Sequence, residues 1–291
     1  MKEILLAESA GFCFGVKRAV ETVYAEAERA AVSGRERVYT YGPIIHNETV
    51  VRDLERRGVC ALSGTEELKA LPDHAGITVI IRSHGVGPEV YEICREKGIR
   101  VVDATCPFVS KIHGIAAEER RAGRRFVIIG DPGHPEVQAI MAWGGPGTRA
   151  VESAEEFVSL GIGKDEPVSI AAQTTYQGAK FKKIIDKIRI MGYDIRSFNT
   201  ICNATHERQS EAAEIASKVD AMIVIGGRSS SNTRKLAEIC SSVCPNTFSI
   251  QTAEDLDLNL LAPFRRIGIT AGASTPKHII EEVQISVRAK F

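Results

Sequence analysis

Short apolar runs rich in β-branched residues alternate along the chain with longer segments in which apolar positions recur every three or four residues. The runs of the first kind are EILLA, RVYTY, ITVIIRSHG, RVVDATC, RFVIIGD, PVSIAAQTT, AMIVIGG and RIGITAGAS. Segments of the second kind include VKRAVETVYAEAERAA, KFKKIIDKIRI and RQSEAAEIASKV. The first pattern is typical of strands and the second of amphipathic helices. Their alternation predicts an α/β fold with mainly parallel sheets flanked by helices.

Polar residues and glycines gather where the predicted strands end. In parallel sheets of this kind, ligands bind beyond the carboxyl ends of the strands. We therefore expect a site built from these ends. The residues found there are His84, Cys106, His134, Thr174, Thr175, Gly226, Gly227 and Ser274.

Three cysteines share one context, after a strand-like run and at the start of a helical segment: Cys13 in AGFCFGVKRAV, Cys106 in VDATCPFV and Cys202 in NTICNAT. Pro107 is favoured as the first residue of a helix, so Cys106 lies at or next to the N-cap, where the helix dipole lowers the pKa of a thiol. The cysteines are 93 and 96 residues apart, and 102 residues lead from Cys202 through the C-terminus back to Cys13. This spacing predicts three similar units around an approximate threefold axis, with three thiolates at one point.

The repeat sets the expected domain organisation. We predict a first α/β domain over residues 14–100 and a second over residues 101–198. A third domain is expected over residues 199–281, completed by the strand in residues 1–13, and residues 282–291 are expected to form a C-terminal tail. No linker composition marks these boundaries, which rest on the spacing of the cysteines alone.

Isolated cysteines on three units differ from the close pairs that hold structural zinc or ferredoxin clusters. A cubane cluster held by three thiolates leaves one iron without a protein ligand, and that iron can act on a substrate oxygen. Each cysteine alone would more often be a small buried hydrophobe. The set of three favours metal ligation. The other four, Cys60, Cys94, Cys240 and Cys244, are expected to be packing residues, although C-x₃-C at the last pair also fits a weak metal site.

Histidines and hydroxyl-rich turns predict an anion site. His46, His84 and His134 follow strands in turns that contain glycine or proline, where backbone N–H groups and imidazolium charge can cradle an anion. GGRSSSNTRK and GITAGASTPK place Ser230, Ser231, Asn232 and Ser274 near helix N-termini, which bind phosphate. Simple helix capping is the other interpretation of these turns.

Glu136 in HPEV has two possible roles. It would be a surface residue that compensates the helix dipole, or it would be a proton donor in a closed pocket with Thr174 or Thr175 as the proton relay.

Charge and composition indicate which binding partners and which cell compartment to expect. The chain has 37 lysines and arginines against 37 aspartates and glutamates, so nucleic acid and anionic membranes are not expected partners. The N-terminal run is too short for a signal sequence, and no apolar run has the length to span a membrane. Seven scattered cysteines do not indicate a secreted disulfide framework. A cytoplasmic protein with reduced or metal-bound thiols is expected.

The motifs together resemble those of the LytB family, the 4-hydroxy-3-methylbut-2-enyl diphosphate reductases that end the non-mevalonate isoprenoid route. The matching stretches are AGFCFGVKRAV, GPIIHN, RSHGV, VDATCPFV, GHPEV, QTT, NTICNAT with ERQ, SSSNT and AGASTP. They run in family order from residue 10 to residue 276. Ala139, where the family usually carries glycine, and Trp143, in place of a smaller residue, depart from the pattern and are expected to change packing beside Glu136.

The resemblance implies three domains in pseudo-threefold arrangement around one [4Fe–4S] cluster bound by Cys13, Cys106 and Cys202. It implies a small-molecule diphosphate substrate, and catalysis by Glu136, His134 and Thr174 near its allylic hydroxyl group. Reduced ferredoxin or flavodoxin would supply the electrons. The implied substrate-binding residues are His46, His84, His134, Thr174, Ser230, Ser231, Asn232 and Ser274. A non-redox iron–sulfur hydro-lyase acting on a phosphorylated or diphosphate substrate, and a binding protein with zinc and phosphate, are the alternatives.

Overall fold

The computed structural model describes residues 2–34, 36–73 and 76–291, over which strands and helices alternate. The strands are β1 (Glu3–Leu6), β2 (Arg37–Tyr41), β3 (Cys60–Leu62), β4 (Ile77–Ile81), β5 (Arg100–Asp103), β6 (Arg125–Ile129), β7 (Arg149–Val151), β8 (Val168–Ala172), β9 (Ile195–Phe198), β10 (Ala221–Ile225), β11 (Thr247–Ile250) and β12 (Arg266–Ala271). The helices are α1 (Phe14–Ser33), α2 (Glu48–Arg56), α3 (Thr65–Ala70), α4 (Pro88–Glu96), α5 (Pro107–Arg121), α6 (Pro135–Gly144), α7 (Ala154–Ser159), α8 (Gly178–Ile190), α9 (Asn203–Ala216), α10 (Ser231–Val243) and α11 (Lys277–Lys290). Short 3₁₀ turns cover Ala253–Asp255 and Leu258–Leu261.

The strands form three four-stranded sheets, and every recorded pairing is parallel. Their orders are β3-β2-β4-β5, β7-β6-β8-β9 and β11-β10-β12-β1. In the first two sheets, the strand that comes second in chain order lies at one edge, and the first, third and fourth strands follow across the sheet. The third sheet repeats this order with β10, β11 and β12 as its first, second and third strands and with β1 in the fourth place. This topology confirms the α/β fold with parallel sheets, and it pairs β1 with β12.

One compact unit comprises the described residues of Met1–Lys17, His46–Thr49 and Asn203–Phe291. It holds the sheet β11-β10-β12-β1 and two apolar clusters. One cluster includes Ile223 and Val283, and the other includes Val224 and Leu236. Alternate residues of β10 thus enter different clusters, because successive side chains of a strand point to opposite faces of the sheet.

The other compact unit comprises Arg18–Ile45 and Val50–Cys202 and holds the remaining two sheets. All five residues are buried in each of the third strands, β4 (ITVII) and β8 (VSIAA). Helices on both faces of a parallel sheet bury its inner strands completely, which explains why these runs are apolar without alternation. Among the helices within the described ranges, none combines the length and apolar character that crossing a bilayer requires.

The sequence did not predict three short strands, β3, β7 and β11, and it indicated β9 only as the strand-like run before Cys202. Each has three or four residues and lies at a sheet edge, where half of the side chains face solvent and the apolar signal is weak. Helix α11 runs through the segment expected to be a tail, and its Val283 and Val287 are buried. Strand β5 pairs with β4 across the expected boundary at residue 101. The domain boundaries themselves stay a prediction.

Helix α5 buries a histidine that belongs to the packing. The His113 ring stacks on the Trp143 ring with 5.6 Å between centroids, and a side chain at Gly85 would collide with it. The Trp143 indole N–H donates to the Val86 carbonyl at 2.9 Å. Burial lowers the pKa of His113 to about 4, although Asp103 opposes the shift. The imidazole is therefore neutral in the folded chain at neutral pH.

We expect His113 to make stability depend on pH. The unfolded chain takes up this proton near pH 6.5, whereas the folded chain does so near pH 4. Stability is therefore complete above pH 6.5 and falls by up to about 3 kcal/mol as the pH drops to 4. Denaturant unfolding of the metal-free protein between pH 7 and pH 4 measures this slope. His113→Gln should flatten it, whereas the exposed His278→Gln should not, and equal slopes in all three proteins would contradict the assignment.

Candidate functional site

The predicted anion-binding residues follow the first and third strands of the sheets. In each sheet the strand order reverses between these two strands, and such a reversal opens a crevice at their carboxyl ends. After first strands come His46 (β2), His134 and Glu136 (β6), and Ser230 to Asn232 (β10); after third strands come His84 (β4), Thr174 (β8) and Ser274 (β12).

The three predicted cysteine ligands follow the fourth strands. Cys13 follows β1, Cys106 follows β5 and Cys202 follows β9, and each immediately precedes the first residue of a helix. All three lie outside any disulfide bond and are of intermediate exposure. The N-cap position predicted for Cys106 is confirmed, and its side chain makes no capping hydrogen bond.

Glu136 and Thr174 form a buried pair in the unit of residues 18–45 and 50–202. Glu136 is only 2% exposed. One carboxylate oxygen accepts the backbone N–H of Thr174 at 2.7 Å, and the other accepts its hydroxyl group, also at 2.7 Å. The Thr174 carbonyl in turn accepts the N–H of Cys202 at 3.1 Å. Thr174 thus connects a buried acid directly to the backbone of a predicted metal ligand.

His134 has a defined tautomer in this arrangement. Its Nδ1 accepts the backbone N–H of Glu136 at 3.2 Å, which caps helix α6. A neutral imidazole that accepts at Nδ1 carries its proton on Nε2. The ring lies edge-on to that of His84, with 5.2 Å between centroids. His134 can therefore donate from Nε2 to an anion beside His84.

The backbone also connects Cys106 to the histidine turn. The N–H of Cys106 donates to the carbonyl of Ser83 at 3.0 Å, and Ser83 directly precedes His84. The buried Ser83 side chain donates to the Ile44 carbonyl at 3.2 Å. The ends of β2, β4 and β5 are thereby held together.

In the unit that contains residues 203–291, helix α10 buries the polar groups of its first turn. Asn232 is 5% exposed, and neither atom of its amide group has a hydrogen-bonding partner among the residues that the structure describes. An unpartnered buried amide costs about 1–3 kcal/mol, so such a group calls for an explanation. Ser230 caps the helix by accepting the N–H of Thr233 at 3.3 Å, so the capping interpretation also holds for this residue.

Ser274 and the turn after β10 approach the same backbone carbonyl. The Ser274 hydroxyl donates to the His46 carbonyl at 3.2 Å. A Cβ added at Gly227 would lie 2.7 Å from that oxygen, so glycine is required there. Helix α11 begins after Pro276, and Ser274 is therefore not its cap. These contacts place His46 beside the carboxyl ends of β10 and β12.

A sequence model of the family described as LytB protein matches residues 4–288. The chain belongs to the LytB family. The 4-hydroxy-3-methylbut-2-enyl diphosphate reductase of Thermoanaerobacter sp. (strain X514) is 45% identical over 286 residues, covering 98% of this chain and 96% of that protein. The protein of the same name from Aquifex aeolicus (strain VF5) is 43% identical over 292 residues, covering 99% and 96%.

Two solved structures are similar to this LytB family member. One, described as (E)-4-hydroxy-3-methyl-but-2-enyl diphosphate reductase, the terminal enzyme of the non-mevalonate pathway, has a TM-score of 0.69 and 41% identity, and the match covers 99% of this chain and 100% of that one. The other, the E-1-hydroxy-2-methyl-but-2-enyl-4-diphosphate reductase from Plasmodium falciparum, has a TM-score of 0.86 and 29% identity, covering 99% and 87%.

Of the other four cysteines of this LytB chain, three are buried and one is exposed. Cys94, Cys240 and Cys244 are buried as predicted, and burial raises the pKa of the Cys240 thiol to about 12. Cys60 is exposed at the start of β3, so its assignment to the core was wrong. It begins a three-residue edge strand, where the first side chain faces solvent.

Sequence reasoning missed Gln173, which precedes Thr174 in QTT. It is fully buried, its side-chain oxygen accepts the Asp131 N–H at 3.2 Å, and its side-chain nitrogen has no partner among the protein atoms. The signal that could have indicated this residue is its position directly after β8, the third strand of its sheet. Trp143, which departs from the LytB pattern, packs on His113 two turns along the helix from Glu136.

We expect the unpartnered amide of Asn232 to be a binding group. Asn232→Leu should raise the melting temperature of the metal-free protein, because it removes a buried polar group that has no partner. The same change should reduce the stabilisation that inorganic pyrophosphate gives the wild-type protein. Thermal unfolding with and without pyrophosphate measures both effects, with Ser242→Leu on the exposed end of the same helix as control. Full pyrophosphate stabilisation of the Asn232 variant would contradict the assignment.

Proposed function

We propose that this chain reductively removes the allylic hydroxyl group of (E)-4-hydroxy-3-methylbut-2-enyl diphosphate and gives isopentenyl and dimethylallyl diphosphate. The LytB match and the names of the relatives support the reaction. The observation that carries the assignment of roles is the buried Glu136–Thr174 pair, hydrogen-bonded through Thr174 to the backbone of Cys202.

The stoichiometry fixes what the site must supply. The bond between the allylic carbon and its hydroxyl oxygen breaks, and the oxygen leaves as water. Two electrons and two protons are consumed, one proton completing the water and the other forming a C–H bond at either end of the allyl unit. Protonation at one end or the other accounts for the two products. Reduced ferredoxin or flavodoxin is the proposed source of electrons.

Cys13, Cys106 and Cys202 are the proposed ligands of one [4Fe–4S] cluster per chain. Three partly exposed cysteines outside any disulfide, each at a helix start, fit this group, because cysteine thiolates are the ligands that iron–sulfur clusters take. When bound, such a cluster supplies electrons and one iron that has no protein ligand and can accept a substrate oxygen. The neighbouring side chains must then orient the substrate and move its protons.

The diphosphate group is proposed to bind at the ends of the first and third strands. The proposed ligands are His46, His84, His134, Ser230, Ser231, Asn232 and Ser274. His134 donates from Nε2, and Asn232 supplies an amide group that is already desolvated. A preorganised set of donors costs little rearrangement on binding.

Glu136 is the proposed proton donor, and Thr174 is the proposed relay. A hydroxyl group both donates and accepts, so when Glu136 carries a proton the Thr174 hydroxyl can turn to the leaving oxygen, donate its own proton there and accept the proton of Glu136, which is left as a carboxylate. The backbone N–H of Thr174 keeps one carboxylate oxygen in place during the exchange. Burial of both side chains excludes bulk water as a competing proton source.

The relatives are named as reductases, which favours this reaction over a non-redox hydro-lyase. Turnover without any reductant would reverse that preference. We place the reaction in the cytoplasm, where thiols stay reduced.

We expect protein purified without oxygen to contain near four iron atoms and four acid-labile sulfides per chain, the composition of a cubane cluster. Metal and sulfide analysis measures this directly. Cys13→Ser, Cys106→Ser and Cys202→Ser should each lower both values, whereas Cys240→Ser, at a buried position away from the site, should leave the ratio unchanged. Zinc, or no metal, in the anaerobic protein would contradict the proposed cofactor.

Glu136→Gln should reduce kcat by about 10²- to 10⁴-fold, the usual contribution of a general acid. Thr174→Val should have a smaller effect in the same direction, because it removes the hydroxyl but keeps the backbone N–H. Anaerobic turnover with dithionite-reduced methyl viologen measures both, and unchanged cluster absorption shows that the site is intact. Thr175→Val is the matched control. Loss of activity in the Thr175 variant but not in the Thr174 variant would show that the relay is assigned to the wrong threonine.

A further inference from the structure

The segment that leads to Cys13 is held by an arginine of helix α9. Arg208 is 3% exposed, and its Nη2 donates to the carbonyl of Gly11 at 2.8 Å and to the carbonyl of Ser9. These two carbonyls belong to residues two positions apart, and Cys13 follows two residues later. The Arg208 guanidinium therefore holds the backbone just before a proposed cluster ligand.

Glu211, one turn further along α9, completes this contact. Its carboxylate accepts the N–H of Glu8 at 2.6 Å and the N–H of Ser9 at 3.0 Å, and it also accepts the Ser9 hydroxyl. Burial works against ionisation, but the hydrogen bonds from Ser9 outweigh it and hold the pKa of this carboxyl below its usual range. Arg208 and Glu211 thus pair with both the carbonyls and the N–H groups of one short segment.

The segment that leads to Cys106 is held in the same way by a different arginine. Arg18 donates from Nη2 to the carbonyl of Asp103 at 3.0 Å and from Nη1 to the carbonyl of Thr105 at 2.8 Å. These carbonyls are again two positions apart, and Cys106 is the next residue. The Asp103 side chain accepts the N–H of Thr105 at 2.8 Å, so the turn has an additional hydrogen bond from within.

The two arginines occupy related places in the threefold repeat. Arg18 lies five residues after Cys13, and Arg208 lies six residues after Cys202. The corresponding position five residues after Cys106 is Lys111, which is exposed. The segment before Cys202 is held instead by the Thr200 hydroxyl, which bonds both the N–H and the carbonyl of Ala172. Two repeats therefore use a guanidinium group, and the third provides a natural comparison.

We propose that Arg18 and Arg208 are positioning residues for the iron–sulfur cluster, which fix the segments before Cys106 and Cys13 so that the thiols are placed before the cluster binds. The inference rests on the proposed function, because it takes these cysteines as cluster ligands. A guanidinium group suits the task, since its rigid fork of N–H groups can bind two carbonyls and it stays charged at every working pH. Without it, the carbonyls lose their partners and ordering of the segments must accompany cluster binding.

The first test uses the metal-free protein and does not depend on activity. Amide hydrogen exchange should accelerate in residues 8–13 of Arg208→Gln and in residues 103–106 of Arg18→Gln, with little change at the other segment. A general loss of stability would accelerate exchange throughout, so the local effect separates positioning from destabilisation. Lys111→Gln is the matched control and should leave both segments as in the wild type. Unchanged exchange in both arginine variants would overturn the proposal.

The second test measures how firmly the reconstituted protein keeps its cluster. Loss of the cluster absorption on addition of an iron chelator should be about 10- to 100-fold faster in Arg18→Gln and Arg208→Gln, the usual cost of removing a group that orients metal ligands. Arg208→Lys should be intermediate, because lysine keeps the charge but lacks the fork. If Arg208→Gln does not fold, Arg208→Lys and Glu211→Gln replace it in both tests. Cluster loss at the wild-type rate in these variants would overturn the proposal.

Different measurements test the proposed function and the positioning role of the two arginines. A wild-type chain that takes up no iron and sulfide would contradict the proposed function, while the exchange measurement on the metal-free chain would still decide whether the arginines hold the segments. A wild-type chain that binds the cluster, combined with variants that match it in exchange and cluster loss, would contradict the positioning role alone.

Discussion

Backbone groups that leave the carboxyl end of a buried parallel strand must find new hydrogen-bonding partners, and the site depends on how this chain meets that requirement. The strand ladder no longer serves these groups, and an unpaired buried N–H or carbonyl costs about as much as a lost hydrogen bond. In this molecule the partners are other strand ends and side chains. The Cys106 N–H bonds to Ser83, the Cys202 N–H bonds to Thr174, and the Cys13 N–H bonds to Ala273 at 3.3 Å. Each proposed ligand is thus fixed through its own backbone N–H group.

The same requirement explains why the buried acid is stable. A carboxylate that is almost fully buried is tolerated only when both oxygens are hydrogen-bonded. Thr174 provides both donors to Glu136 from a single residue, and the strand β8 that precedes it is fully buried. The acid, on helix α6, is therefore tied to the end of a buried strand. The proposed role of Glu136 depends on the residue that holds the acid as much as on the acid itself.

The sequence predicted the architecture well because its signals were local. Inner strands such as β4 and β8 are continuous apolar runs, and Cys106 with Pro107 is a local helix start. Short edge strands were hard to predict, because three or four half-exposed residues carry little hydrophobic pattern. The roles of Arg208 and Glu211 were not predicted for a different reason. Charged residues on a helix look like a solvated face, and only the fold shows that they meet the backbone of a segment about two hundred residues earlier in the chain.

The place of β1 in its sheet has a consequence for how the protein is made. Glu3 pairs with Arg266, so strand β1 cannot pair with its neighbour until synthesis has reached β12. The sheets β3-β2-β4-β5 and β7-β6-β8-β9 consist of strands close in sequence and can form earlier, since folding proceeds from the N-terminal side during synthesis and long-range pairing is slow. Until β12 is available, the Cys13 N–H group lacks its partner, the Ala273 carbonyl. The proposed iron–sulfur cluster would therefore be assembled only after β12 has been synthesised.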